Sequence, residues 1–359
     1  MAPFQAAEDL KGVITENWPA EDLESVPECP ICGGSERTAL YEGLTDQVFG
    51  VAPGKWTLYR CATCKSAWLD PRPSQASIAR AYDIYYTHMA EDDIEAQPKS
   101  RLVRQLHAWQ NDYKNARYGL GRQPASWGGR WLVSVIPSLR AKADTQCRHL
   151  EQPPAGGGRL LDVGFGNGGF LKIASEMGWN VEGIDFDPKA VEVAKARGLN
   201  VRCASASDLH EFAGEYDVIT ISHVIEHVFD PSDLLRDLYR LLKPGGKLWL
   251  DTPNLSSLGL QRFGRNWQTL DPPRHLALFT PESLRWSLEQ AGFRKVQQYW
   301  HGMVLFSIYA ESEAISRGQC AQEARGQVIP SLDAVFAELR EMMMPNSREY
   351  LTVMAWKPP

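Results

Sequence analysis

Four cysteines stand in two Cys-x-x-Cys pairs, Cys29-Pro-Ile-Cys32 and Cys61-Ala-Thr-Cys64, with 28 residues between them. Four thiolates satisfy a tetrahedral zinc ion, and a closed set of four sulfurs leaves no position for a substrate. The spacing therefore predicts one structural zinc held by Cys29, Cys32, Cys61 and Cys64. A thioredoxin-like redox motif needs one such pair beside a strand–helix–strand unit, whereas here two pairs lie in a Gly- and Pro-rich segment. The remaining cysteines, Cys147, Cys203 and Cys320, are scattered, and an odd total of seven does not read as a secreted disulfide framework.

A second group with chemical potential is the turn Leu161-Asp162-Val163-Gly164-Phe165-Gly166-Asn167-Gly168-Gly169-Phe170. It follows an apolar strand pattern and opens a helical one. Glycines at 164, 166 and 168 let a backbone approach a ligand without Cβ clashes. Asp185 lies 19 residues after Gly166, at the tip of the next strand pattern, where a carboxylate reaches ribose hydroxyls. Asp162 just before the first glycine would repel a pyrophosphate and suits an ammonium group.

Histidines supply a third group. His223-Val224-Ile225-Glu226-His227 matches the His-x-x-Glu-His pattern of inverted zinc peptidases, but that motif needs a helix and here it follows a strand pattern, Val218 to Ser222. Further on, Asp271-Pro272-Pro273-Arg274-His275 sets a neutral-pH base in a polar stretch. His275, His223, His227 and Glu226 are the catalytic candidates. The alternative for His275 is a structural anchor to Asp271 or to a carbonyl. The alternative for Glu226 and His227 is capping of the next helix.

The elements that must position these groups follow from the patterning. The run Pro153-Pro154-Ala155-Gly156-Gly157-Gly158 marks the main boundary. After it, strand patterns (159–163, 180–184, 200–203, 216–222, 246–251) alternate with helical ones (170–177, 188–197, 231–242), which implies a parallel sheet with helices on both faces. Before it, residues 1–26 read as an arm, 27–73 as a zinc ribbon with a short strand near Trp56–Arg60, and 74–152 as a helical cap. Residues 153–359 form the expected catalytic domain.

The motif order resembles that of the class I S-adenosylmethionine-dependent methyltransferases. The glycine turn is similar to their first motif, Tyr216-Asp217-Val218-Ile219 to their fourth-strand motif, and Leu241-Leu242-Lys243-Pro244-Gly245-Gly246 to the turn before their fifth strand. The likeness covers roughly residues 155 to 300. It implies an α/β, doubly wound, Rossmann-like sheet whose last strand is antiparallel. It also implies S-adenosylmethionine bound along Asp162, Gly164, Gly166 and Gly168, with Asp185 on the ribose diol and Phe186 against the adenine. Ser207 or Asp208 would sit near the adenine edge, and His223 beside the methyl. Similar Glu-x-x-Glu-His sequences bind a divalent metal in ubiquinone-pathway and small-RNA O-methyltransferases. Here His223 replaces the first Glu, so the resemblance implies at most a second metal at Glu226 and His227. The segment from Leu58 through Trp68 and Pro73 to Tyr82, Tyr85 and Tyr86 resembles the zinc-ribbon leader of bacterial relatives acting on small molecules and glycans. By sequence order Trp267 offers an apolar wall for such a substrate.

Composition agrees with a globular enzyme. The 359 residues are 43% hydrophobic and 23% charged, with net charge −6, which excludes disordered, collagen-like and coiled-coil classes. No apolar run reaches the roughly 18 residues of a membrane span. The first ten residues, with Glu8 and Asp9, do not read as a secretory signal, so the expected location is the cytoplasm. The expected activity is methyl transfer to a hydroxyl of a small molecule or sugar, with no nucleic-acid or membrane partner. Two rivals are a ribosomal-RNA methyltransferase gripping RNA through the ribbon, and a non-catalytic zinc-ribbon interaction protein. The first would use Arg117, Arg122, Arg130, Arg140, Lys142 and Arg148, although an acidic total argues against a phosphate-binding surface.

Overall fold

The computed structural model of the chain describes residues 17–82, 101–324 and 331–359. Most of the expected N-terminal arm, with Tyr85 and Tyr86, lies outside them.

The cysteine module comes first. Strands β1 (Leu23–Glu24), β2 (Arg37–Leu44), β3 (Trp56–Cys61), β4 (Ala67–Leu69) and β5 (Arg72–Pro73) follow in order. β2, β3 and β4 form an antiparallel meander, and β1 pairs with β5. Each Cys-x-x-Cys pair sits on a tight knuckle: the amide of Cys29 donates to the Gly34 carbonyl at 2.9 Å, and that of Cys61 to the Ser66 carbonyl at 2.9 Å. Three helices follow, α1 (Arg101–Tyr118), α2 (Gly129–Val135) and α3 (Pro137–Gln146). α1 is fixed to α3 by a buried carboxylate: Asp144 accepts from the hydroxyls of Tyr113 (2.8 Å) and Tyr118 (2.6 Å).

The alternating part then runs β6 (Arg159–Val163), α4 (Gly169–Glu176), β7 (Asn180–Asp185), α5 (Pro188–Ala196), β8 (Val201–Cys203), β9 (Tyr216–Ser222), α6 (Pro231–Leu241) and β10 (Leu242–Pro253). Local chemistry starts the helices where expected. Asp187 caps α5 by accepting from the Lys189 amide, Asp230 caps α6 by accepting from the Asp233 amide, and Pro188 and Pro231 occupy the first helical positions. The chain continues through α7 (Leu258–Phe263), β11 (Ala277–Leu278), α8 (Pro281–Gln290), β12 (Arg294–Tyr299), α9 (Leu305–Ser316), α10 (Ala321–Ala324), α11 (Leu332–Met343) and β13 (Tyr350–Trp356).

Seven strands form one sheet in the order β12-β13-β10-β9-β6-β7-β8, with β13 antiparallel to both neighbours and the rest parallel. From β6 the chain winds first towards β8 and then back past β6 to β9. The crevice at the carboxyl ends of β6 and β9 is where such sheets bind ligands. The short strand β11 does not join this sheet. It pairs antiparallel with β4 and completes the cysteine module's sheet, order β11-β4-β3-β2. The cores follow the same division of labour. One joins Cys29, Ile31, Cys61 and Trp68 to Leu161, Ile219 and Leu250 of the large sheet; another joins Trp18, Trp56 and Leu69 to Leu255, Trp267 and Ile308. Packing thus runs across residue 153, the boundary drawn from composition.

α11 docks through acids. Glu341 accepts from the Glu349 amide at 2.6 Å and from the Trp300 indole at 2.9 Å, and burial with the neighbouring Glu349 pushes its carboxyl up to about 8. Glu349 is pushed up to about 7 by burial. The folded chain therefore binds more protons than the unfolded chain across the neutral range, and its stability falls as pH rises towards about 8. Urea denaturation from pH 6 to 9 should show this decline, and Glu341→Gln should flatten it.

Candidate functional site

The glycine turn lies directly against the loop that carries the histidines. Gly164, Gly166 and Gly168 have φ of +69°, +58° and +80°, values that side chains rarely adopt. A Cβ on Gly164 would come within 2.4 Å of the Val224 Cγ2, so only glycine lets this loop approach. Asp185 ties the turn to the tip of β7. Its Oδ2 accepts from the Gly166 amide and its Oδ1 from the Asp187 amide, both at 3.0 Å. Burial raises its pKa in spite of those two donors. Each oxygen keeps a lone pair, which is the requirement for holding two ribose hydroxyls. Next to it Phe186 is 69% exposed, with the Tyr82 ring edge-on at 6.0 Å, so a flat apolar surface is open to a ligand.

Two acids have bonds within the protein that the sequence did not show. Asp208 accepts from the Ser205 amide (2.8 Å) and hydroxyl (2.7 Å), and these bonds hold its pKa down; it closes a capping box on the turn 206–212. Ser207 lies beside it, with its hydroxyl 2.8 Å from that of Ser205. Asp162 is fully buried, and its Oδ1 accepts from both Arg148 and the Thr220 hydroxyl, while its Oδ2 has no partner. Burial raises its pKa against the pull of Arg148. One oxygen thus remains for an ammonium group. Arg148 was read from sequence only as part of a basic run. In the fold it lies over the Phe170 ring at 3.7 Å and is nearly buried. No motif marks it, because its partner is on another element.

The histidines gather at the carboxyl ends of β9 and β10. His223 has φ +53° and its amide donates to the Asp251 carbonyl at 2.9 Å. Its Nδ1 is 3.1 Å from Glu226 Oε1 and its Nε2 3.5 Å from Asp251 Oδ2. Burial opposes charge on this ring, but the two carboxylates prevail and raise its pKa. Glu226 is fully buried and also accepts from the Thr252 hydroxyl at 2.8 Å. Burial alone would raise its pKa, and the surrounding histidines bring it down to about 2.

His227 and His275 face each other with ring centres 4.7 Å apart. The Nδ1 of His227 is 3.0 Å from the Arg274 carbonyl and 3.0 Å from the Tyr82 hydroxyl; the Nδ1 of His275 is 2.8 Å from the Thr269 carbonyl. A carbonyl only accepts, so in each ring Nδ1 carries the proton and Nε2 keeps its lone pair. Burial, reinforced by His275, lowers His227 to about 4, so it is neutral at pH 7. Glu226, His227 and His275 each offer a ligating atom within 4.8 Å of the others. Two imidazoles oriented by carbonyls and one carboxylate form a donor set that fits a divalent cation. The sequence paired only Glu226 and His227; β11, which follows His275, brings in the third. The next helix, α6, is capped by Asp230 and not by either of them. Trp267, expected as a wall of the substrate site, is buried and donates to Glu349 at 3.0 Å.

The four module cysteines lie within 4.8 Å of one another. Sγ separations of 3.6 Å (Cys29–Cys64) and 3.5 Å (Cys32–Cys61) approach the edge of about 3.8 Å implied by four Zn–S bonds of about 2.3 Å in a tetrahedron. The Cys29–Cys64 contact holds Cys64 down to about 4 and Cys29 up, so the sulfurs share negative charge that a cation would neutralise.

Residues 139–298 match the family model described as a methyltransferase domain. Over 105 residues the chain is 42% identical to the ubiquinone biosynthesis O-methyltransferase of Xanthomonas oryzae pv. oryzae, an overlap of 27% of this chain and 44% of that one. Over 111 residues it is 34% identical to the enzyme of the same name from Pseudomonas aeruginosa, 29% of this chain and 48% of that one. The chain thus spans less than half the length of these relatives. Among solved structures, a SAM-dependent methyltransferase from Archaeoglobus fulgidus aligns with 56% of this chain and 87% of its own, at 24% identity and a TM-score of 0.40. The sheet order, the glycine turn and the family match identify residues 139–298 as a class I S-adenosylmethionine-dependent methyltransferase domain.

Two measurements probe these assignments. Asp185→Ala should weaken S-adenosylhomocysteine binding by about 3 kcal/mol or more in calorimetry, since two hydrogen bonds to a charged group are lost. Purified protein should contain one equivalent of zinc by elemental analysis. Cys61→Ser should lose it together with the order of the module, because structural metal binding energy is folding energy.

Proposed function

We propose that the protein transfers the methyl group of S-adenosylmethionine to a hydroxyl of a small-molecule or sugar acceptor, with the four module cysteines holding a structural zinc. One observation carries the reading: Glu226 and His227 lie on the loop whose Val224 abuts Gly164 of the cofactor turn, and His275 reaches the same point from the segment before β11. A cation held there would sit beside the methyl donor. The relatives' name, an O-methyltransferase of ubiquinone biosynthesis, supports oxygen as the acceptor atom.

The roles divide by position. S-adenosylmethionine brings an already activated methyl, so the chain's work is alignment. Asp185 would hold the ribose, Phe186 the adenine face, and the unpartnered Oδ2 of Asp162 the ammonium. A divalent cation held by Glu226, His227 and His275 would lower the pKa of the acceptor hydroxyl. His223 lies between Glu226 and Asp251, which raise its pKa, and would orient the loop beside the methyl.

The RNA reading gains no support. Of the basic run, Arg148 is paired with buried Asp162, Arg117 with Asp144 and Arg122 with Glu176. Among the described residues no helix is long and apolar enough to cross a membrane. Two Cys-x-x-Cys pairs that gather as a metal site suit a reducing compartment, which supports a cytoplasmic location.

The test is methyl transfer to a panel of hydroxyl acceptors, with and without removal of the weakly held divalent ion by chelator. His275→Ala should lower kcat by about 10² to 10⁴ with unchanged S-adenosylhomocysteine affinity, and chelation of the parent should do the same. If chelation has no effect and His275→Ala still loses the rate, His275 acts as a base without metal. If neither change affects the rate, the acceptor is not a hydroxyl that needs activation.

A further inference from the structure

We propose that Asp46, in the cysteine module, is a positioning residue for the His227–His275 pair and acts on it through Arg274, so that the module is part of the active site. The inference rests on the reading of that pair given above.

The Arg274 guanidinium is fully buried and all of its five N–H groups have acceptors. Nε donates to both oxygens of Asp271, at 3.0 and 3.1 Å. Nη1 donates to Asp46 Oδ2 at 3.1 Å and to the Ala81 carbonyl at 3.0 Å. Nη2 donates to Asp271 Oδ1 at 2.6 Å and to Asp46 Oδ1. Asp46 cannot follow a moving arginine. Its carboxylate also accepts from the amides of Phe49, Val51 and Ala52, each at 3.0 Å, in the connection between β2 and β3. The side chain of Arg274 is therefore anchored at its far end by the N-terminal module.

Its main chain lies in the histidine site. The Arg274 carbonyl is the acceptor 3.0 Å from His227 Nδ1. The next residue is His275, and the amide after that, of Leu276, donates to the Glu226 carbonyl at 2.8 Å. Rotation of the 274–275 peptide would release the His227 tautomer and turn His275 together. A buried arginine held by two carboxylates on different elements prevents that rotation. A loop carrying the reacting geometry need shift only about 1 Å to lose about a hundredfold in rate.

Charge makes the test clean. Asp46, Asp271 and Arg274 sum to one negative charge, so Asp46→Asn leaves a neutral Arg274–Asp271 pair and an amide oxygen for the loop. It should fold, keep its zinc and bind S-adenosylhomocysteine within about twofold of the parent. Its kcat should fall by about ten- to hundredfold. The ring-proton resonances of His227 and His275, followed at a single pH in the S-adenosylhomocysteine complex, should shift. Arg37→Gln is the control: it breaks the 2.6 Å pair with Asp70 in the same module, a pair separate from the Asp46–Arg274–Asp271 cluster, and should change neither readout. Arg274→Lys, which keeps the charge and cannot bridge two carboxylates, provides a second variant and should reproduce the Asp46→Asn shifts. Parent-like resonances and kcat in Asp46→Asn and Arg274→Lys overturn the proposal, as does an equal loss in Arg37→Gln. If the parent transfers no methyl to any hydroxyl, the resonances alone decide, so failure of the activity reading is separable from failure of this one.

Discussion

Three carboxylates are sealed where the central strands end: Asp162 on β6, Glu226 just after β9 and Asp251 on β10, none more than 1% exposed. A buried charge is tolerated only with a partner of opposite sign or a set of donors. Much of the surrounding architecture answers this requirement. Arg148 comes from the end of the α3 region to meet Asp162, in a left-handed conformation that arginine seldom adopts. His223, also left-handed, sits between the other two carboxylates. They are two of seven non-glycine residues with positive φ among the described residues, and at both the unusual backbone places a charge partner.

The same requirement explains why the amino-acid pattern reveals some of the site and conceals the rest. The glycine turn and Asp185 were legible because their work is local: a tight turn needs glycine and a strand tip needs an acid at a set distance. The gathering of the four cysteines was legible because two short spacings of paired sulfurs admit few other readings. Strands and helices from β6 to β10 followed from alternation of apolar runs with capped helical ones. Arg148 and Arg274 were not legible as partners. Each neutralises an acid brought close only by tertiary folding, and in the sequence each is one more basic residue. β11 was missed because two residues, Ala277 and Leu278, carry no periodicity; they are a strand only because β4 offers an edge.

Asp208 and Trp267 teach the complementary lesson. Both were expected at a ligand; Trp267 is buried with its indole on Glu349, and Asp208 spends one oxygen on Ser205. Polar and aromatic residues near a site are read as functional from their order in the chain, but a nearby backbone amide or buried acid claims them first. Asp185 differs in place: it is fixed at the tip of β7 by amides of the glycine turn itself.

The Asp46–Arg274 contact spans 228 residues of sequence. During synthesis the β2–β3 hairpin emerges long before the guanidinium that balances its inward-facing carboxylate. The N-terminal segment must therefore wait, solvated at that one point, until most of the chain has left the ribosome. A fragment ending before residue 274 would carry this acid with only the three amides of its own loop and no cation to meet it.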